Sequence, residues 1–284
     1  EQKLVVETSL GKVRGSKSKG AFRFAGVPYA ADTGGANRFH PPRPREPWPG
    51  IRDATDYGAA CPQPQEASRG PFASWTDPSS HGEDCLSLNI WTPDLEKTAH
   101  RPVMVWLHGG ALSVGSGARN VIDGSRLASQ QDVVVVTVNH RINLFGYLYL
   151  AELGGAEWQD SSNLGQLDLV AALRWVRQNI GQFGGDPDNV TIFGESGGGT
   201  KVAGLVYMPQ AKGLFHRAIL QSGFGTLAHD HAAASAFAGR FVDALGLTAG
   251  TLDALRTMPA QRLLDALHEV TGGNVALGTL LVPD

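Results

Sequence analysis

Residues 194 to 198 read Gly194-Glu195-Ser196-Gly197-Gly198, a serine with glycines two positions to either side. The motif directly follows Val190-Thr191-Ile192-Phe193, a run of strand character, and precedes a stretch of helical character. That context is what a nucleophilic serine requires. Held in a sharp strand-to-helix bend, the side chain projects above the sheet edge, and the flanking positions must be small for neighbouring backbone to come close. The helix N-terminus favours negative charge that develops beside it. A glycine-rich structural turn is the alternative that the motif alone leaves open.

A second segment supplies a matching part. His108-Gly109-Gly110-Ala111 follows the apolar run Val103-Met104-Val105-Trp106-Leu107. A glycine-rich turn at a strand end can aim backbone N–H groups at a reacting oxygen, and with the N–H of Gly197 these would form an oxyanion hole. Either motif alone is weak. Together they point to acyl transfer, with the serine oxygen attacking a carbonyl and the amides receiving the negative oxygen.

The elements that must position these residues are legible in the pattern. Lys3–Thr8 and Gly11–Gly15 read as a β-hairpin, followed by a proline-rich stretch from Pro41 to Pro49. Residues 86–91, 103–107 and 133–138 read as strands, the last two almost continuously apolar, as buried parallel strands are. Residues 163–183 read as a helix, with Leu169, Leu173, Val176 and Ile180 on one face and Asn163 with Gln166 fitting a capping box. Lys201–Met208 reads as a helix, 217–220 as a strand, and 231–245, 251–258 and 261–270 as three helices. Strands alternating with helices predict a mostly parallel sheet covered on both faces.

Composition sets the outer bounds. The 284 residues are 42% hydrophobic and 18% charged, with a formal net charge of −3, the balance of a soluble globular protein with a sizeable core. The 24 basic residues are scattered, so no basic stripe suggests nucleic acid. The longest apolar run, Val133–Val138, is far too short to span a bilayer. No signal-peptide layout opens the chain. Two cysteines, Cys61 and Cys85, cannot make a tetrahedral zinc site by themselves, and no other metal set or cofactor motif stands out. Spacing leaves open whether they form a disulfide, which would contribute about 3–4 kcal/mol, or remain two buried thiols.

Three stretches carry a family resemblance: 83–93 (Glu-Asp-Cys-Leu-Ser-Leu-Asn-Ile-Trp-Thr-Pro), 183–198 (from Phe183-Gly184-Gly185-Asp186 to the serine motif), and 24–30 (Phe-Ala-Gly-Val-Pro-Tyr-Ala). In these the chain resembles type-B carboxylesterases, the group that includes para-nitrobenzyl esterases and cholinesterases, from about residue 4 to about 225. The resemblance implies an α/β-hydrolase fold in a single domain, residues 1–284, with a helical cap-like segment from about 225. It implies a small-molecule ester as substrate and no cofactor. It makes Ser196 the nucleophile and Gly110, Ala111 and Gly197 the oxyanion-hole donors, with Gly109 shaping the turn. Glu195 would line the gorge beside the serine. Ser222, in Gln221-Ser222-Gly223, would lie behind the catalytic group or be a satisfied buried serine. Trp75 would offer a cation-binding face, an apolar pocket wall or a loop anchor. Cys61 and Cys85 would form the family's N-terminal disulfide, which implies a secreted or periplasmic protein. In two places the chain departs from the pattern. Gly197 stands where alanine is commoner, which predicts a freer turn. Leu169 follows Asp168 where the family usually has glutamine.

In α/β-hydrolases the acid and the histidine follow the serine. Asp230, Asp243, Asp253, Asp265, Glu269, His216, His229, His231 and His268 do so here, mostly on polar helix faces. His229-Asp230-His231 is too closely spaced to converge except in a loop. No base is assigned, and Leu281-Val282-Pro283-Asp284 resembles a mid-chain family motif. The expectation is therefore the front part of a longer enzyme, with a separate C-terminal part as partner. Two other readings stand beside ester hydrolysis: a non-catalytic, adhesive relative, against which the intact serine motif argues, and an amide or carbonate hydrolase using the same groups.

Overall fold

A computed structural model describes residues 4–64, 74–223 and 230–274. Two sheets organise them. The small one has the order β1-β2-β5, from Val5–Thr8, Gly11–Arg14 and Ile51–Asp53. Strands β1 and β2 form the expected antiparallel hairpin, and β5 adds in parallel to β2.

The large sheet has seven strands in the order β10-β9-β7-β8-β6-β4-β3. These are β3 (Ser16–Ser18), β4 (Ala21–Pro28), β6 (Ser87–Thr92), β7 (Arg101–Leu107), β8 (Val134–Val138), β9 (Gly185–Glu195) and β10 (Arg217–Gln221). The sheet is mixed. Parallel pairing runs from β10 through β9 and β7 to β8, while β6, β4 and β3 pair antiparallel. The parallel half carries both functional motifs. Its β8 is buried throughout, which is why Val134-Val135-Val136-Thr137-Val138 shows no alternation.

Eight α-helices complete the described chain: α1 (Ser125–Gln131), α2 (Asn143–Tyr147), α3 (Ala151–Gly154), α4 (Leu164–Asn179), α5 (Gly197–Tyr207), α6 (His231–Ala244), α7 (Ala254–Thr257) and α8 (Ala260–Thr271). One face of α4, with Leu169, Leu173 and Val176, and Ile180 just past its end, joins Val103, Val105, Val134, Val136 and Ile192 in the main core. Leu169 is fully buried there, so the departure from glutamine places a hydrophobe in the core. The expected capping box at Asn163 is absent. The Asn163 side chain does not cap the helix, and the Gln166 amide donates instead to the Lys201 carbonyl at 3.3 Å. A tertiary partner has outcompeted the local one. Helices α6 and α8 build a second core, where Phe241, Leu263 and Leu267 meet Phe39, Leu144 and Trp158.

A buried ion pair ties the layers together. Arg141 and Asp168, 2% and 0% exposed at the side chain, meet at 2.6 Å. Asp168 also accepts from the Arg141 backbone N–H and Nε, and Arg141 donates to the His40 carbonyl. Cys61 and Cys85 form a disulfide with Cα atoms 5.1 Å apart. Among the described residues, no helix is long and apolar enough to cross a membrane.

Candidate active site

Strand β9 ends at Glu195 and α5 begins at Gly197, leaving Ser196 as the bend between them. Its φ of 54° and ψ of −124° lie where L residues are rarely found. Such strain persists only when the surroundings impose it. Here the Ser196 N–H donates to the Gln221 carbonyl at 2.8 Å, and the Ser196 carbonyl accepts from Thr200 N–H at 3.2 Å. The flanking glycines leave no alternative packing. A Cβ on Gly194 would come within 2.5 Å of the Gly198 backbone, and one on Gly198 would collide with the Leu107 carbonyl. The result is a serine exposed to solvent on a buried support.

The second turn stands against the first. A Cβ on Gly109 would stand 3.0 Å from the Glu195 carbonyl oxygen, 3.3 Å from Glu195 Oε2 and 3.7 Å from Ser196 Cβ. Gly110 and Ala111 both adopt positive φ, 92° and 52°. The Gly110 carbonyl turns back to accept from Ser113 and Val114 N–H at 3.2 and 3.1 Å. In a trans peptide the N–H opposes the C=O, so the Ala111 N–H points away from those amides. The far side of the turn is pinned by residues that no motif had flagged. The Asn143 amide donates to the Pro62 and Ser113 carbonyls, and Gln63 both accepts from and donates to Gly115.

One expectation is reversed. Glycine at 197 does not free the turn, because the position has no room for anything larger. A Cβ there would overlap the Ala111 carbonyl, its carbon and its Cα. The two turns approach more closely than an alanine would allow.

Gln221-Ser222-Gly223 supports the bend from beneath. Gly223 packs so closely on the Ser196 carbonyl and on Gly199 that a side chain would collide with both. Ser222 itself is exposed with φ 53°, so it is not a buried, satisfied serine. Trp75 is half-buried in a segment stitched to Asn120, whose side chain bonds the Ser74 carbonyl and the Thr76 N–H.

Most of the described acids and histidines after Ser196 are engaged locally. His216 Nδ1 accepts from Val190 N–H, Asp230 caps α6 through Ala233 N–H, and His231 Nδ1 bonds the Tyr149 hydroxyl. Asp253 pairs with Arg256 and Asp265 with Gln261. Asp243, His268 and Glu269 lie exposed on α6 and α8. His229, like the final four residues, lies outside the described residues. No group of three or more metal-ligating side chains occurs among the described residues.

Beneath the site sits a basic cluster that the motif reading passed over. Lys201, His108 and His140 are all buried. The Lys201 ammonium donates to the His108 carbonyl at 2.9 Å. His108 Nδ1 lies 2.9 Å from the Gly109 carbonyl, an acceptor only, so Nδ1 carries the proton. The two imidazoles lie 4.6 Å apart. Burial, reinforced by the Lys201 charge, holds both histidines well below their ordinary range. Burial and then the Arg119 charge bring Lys201 down to about 7. The available signal was a lysine interrupting the apolar helix that follows a nucleophile motif.

A family model described as the carboxylesterase family matches residues 2–282. The chain belongs to the carboxylesterase family. The para-nitrobenzyl esterase of Bacillus subtilis is 46% identical over 267 residues, covering 94% of this chain and 53% of that protein. The human cocaine esterase is 46% identical over 224 residues, 77% of this chain and 39% of that protein. Among solved structures, the carboxylesterase EST55 of Geobacillus stearothermophilus superposes with a TM-score of 0.89 at 43% identity, over 98% of this chain and 55% of that one. A thermophilic PNB esterase superposes with a TM-score of 0.91 at 42% identity, over all of this chain and 58% of that one. The fold is thus that of α/β-hydrolase carboxylesterases, and the chain spans about half the length of the relatives it matches.

Proposed function

We propose that this chain carries the nucleophile and the oxyanion hole of a carboxylic-ester hydrolase that works through a serine acyl-enzyme. Ser196 Oγ attacks the ester carbonyl. The N–H groups of Gly110, Ala111 and Gly197 receive the oxyanion, Gly109 lets the turn approach, and the alcohol leaves. Water then releases the acid. Glu195 lines the gorge, Ser222 stands behind the bend, and Trp75 is an apolar wall of the acyl or alcohol pocket. The observation that carries this reading is the exposed, left-handed Ser196 standing against the Gly109–Ala111 turn.

The serine needs a base to take its proton. Of the described histidines after it, His216 and His231 are engaged elsewhere and His268 lies exposed on α8, so the triad acid and histidine are assigned to the remainder of a longer protein. Residues 1–284 form one α/β-hydrolase domain with a helical cap-like segment from about 225, and the second core of α6 and α8 supports that division. The Cys61–Cys85 disulfide supports an oxidising compartment, outside the cytoplasm. The names of the relatives support small ester substrates.

The test is hydrolysis of p-nitrophenyl esters of increasing acyl length by the enzyme that carries this chain. The expected result is turnover with a preference in acyl length, abolished in Ser196→Ala. Undiminished turnover in Ser196→Ala would overturn the reading.

A further inference from the structure

Lys201 lies one turn beyond Ser196 on α5, followed by the apolar run Val202-Ala203-Gly204-Leu205-Val206. Its relative exposure is 0%. A buried cation is costly unless it is hydrogen-bonded, so the use of its charge matters. Its Nζ donates to the carbonyl of His108, the residue that opens the oxyanion turn. Close packing adds further contacts between helix and turn. Gly198 abuts the Leu107 carbonyl and Gly197 abuts Ala111. Steric contacts set how close the two segments come, whereas a charge-assisted hydrogen bond also gives the 108–109 carbonyl a direction.

We propose that Lys201 is a positioning residue of this site: its ammonium grips the His108 carbonyl and so fixes the turn whose N–H groups receive the oxyanion. The proposal rests on the reading of Ser196 and Gly109–Ala111 given above.

The surroundings make the grip sensitive to pH. The turn contributes His108 and the loop after β8 contributes His140, both kept neutral by burial. Arg119 adds a second positive charge from the loop before α1. From α4 come Gln166, bonded to the Lys201 backbone, and Asp168, already bound to Arg141. The Lys201 proton is therefore loosely held, and deprotonation leaves a weaker, neutral donor on the carbonyl.

The oxyanion exists only at the transition state. Loosening the turn should thus lower kcat and leave KM nearly unchanged. In the enzyme that carries this chain, Lys201→Met should lower kcat for a p-nitrophenyl ester by roughly ten- to a hundredfold, with KM within about threefold. Lys201→Arg, which keeps the cation, should recover most of the rate. The wild type should show an alkaline loss of kcat that the arginine variant lacks. A folded Lys201→Met enzyme with unchanged kcat and pH profile would overturn the proposal, while a wild type whose Ser196 takes no fluorophosphonate would overturn the hydrolase reading instead. Should the methionine variant not fold, the wild type itself decides. Labelling with carbonyl-13C histidine and 15N glycine isolates the two His–Gly peptides of this chain, 81–82 and 108–109. The 108–109 signal should move with a midpoint near 7, and Lys201→Arg should abolish that movement. A signal that stays still through that range in the wild type would show that no ammonium grips the carbonyl.

Discussion

A single methyl group separates this bend from one that fails. Gly197 abuts the Ala111 carbonyl so closely that a Cβ has no space. Gly197→Ala must therefore push the Gly110-Ala111 turn away from Ser196. Losing one aligned oxyanion donor typically costs ~2.7–4 kcal/mol at the transition state. The expected outcome is a fall in kcat of roughly a hundredfold, with thermal stability changed far less, checked by steady-state kinetics beside a melting curve. The motif announced the serine and both turns, because each needs glycines at fixed places. It misjudged residue 197, because closeness between segments 86 positions apart leaves no local trace. Lys201 escaped because a lysine in sequence reads as a solvated group.

The same buried bases set how stability responds to pH. His108 and His140 are held below the ordinary 6.5, so on acidification the unfolded chain takes up protons that the folded chain refuses. Their stabilising contribution is complete above 6.5 and is lost as pH falls below it. Lys201, brought from 10.5 to about 7, acts in the same sense over a higher window, because folding releases its proton between those values. The melting temperature should therefore climb from pH 5 toward 8 and beyond. Lys201→Met should flatten the part above 7 while leaving the acid part in place, as read by calorimetry across the pH series.

At the level of elements, the large parallel pieces were readable and the small ones were not. Strands β7 and β8 announce themselves as unbroken apolar runs, and α4 announces itself by its 4, 3, 4 spacing. Strands β3, β4 and β5 and helices α1, α2 and α3 went unread: most are short and held by tertiary bonds, while β4, eight residues long, is broken by a bulge between Phe24 and Val27. Two examples are Gly26 N–H donating to Asn89 Oδ1 and Asn143 N–H donating to the Leu112 carbonyl. The antiparallel half of the sheet was missed with them, so the sheet is mixed where a mostly parallel one was expected. Arg141 and Asp168 bind the loop after β8 to α4, next to α5. Asp168→Asn strands a buried guanidinium. The expected loss is about 3–5 kcal/mol, measured by urea unfolding, with a smaller loss if Arg141 is replaced by methionine in the same protein.

Across the whole molecule, the described residues assemble the bend at Ser196 and the turn that faces it. Among the described residues the sheet ends at β10, where Ile219 and Leu220 are exposed, as are Val206 and Tyr207 at the end of α5. The chain covers only 53–58% of its bacterial relatives. What these residues achieve alone is geometric: a strained hydroxyl, two convergent turns and a cation beneath them. All of it serves catalysis only if that hydroxyl is reactive in the enzyme that carries this chain. The direct measurement is covalent labelling with a fluorophosphonate, with the modified residue located by mass spectrometry. The predicted result is one adduct per chain, on Ser196, absent after Ser196→Ala. An adduct on another residue, or none on a folded protein that hydrolyses esters, would contradict the account.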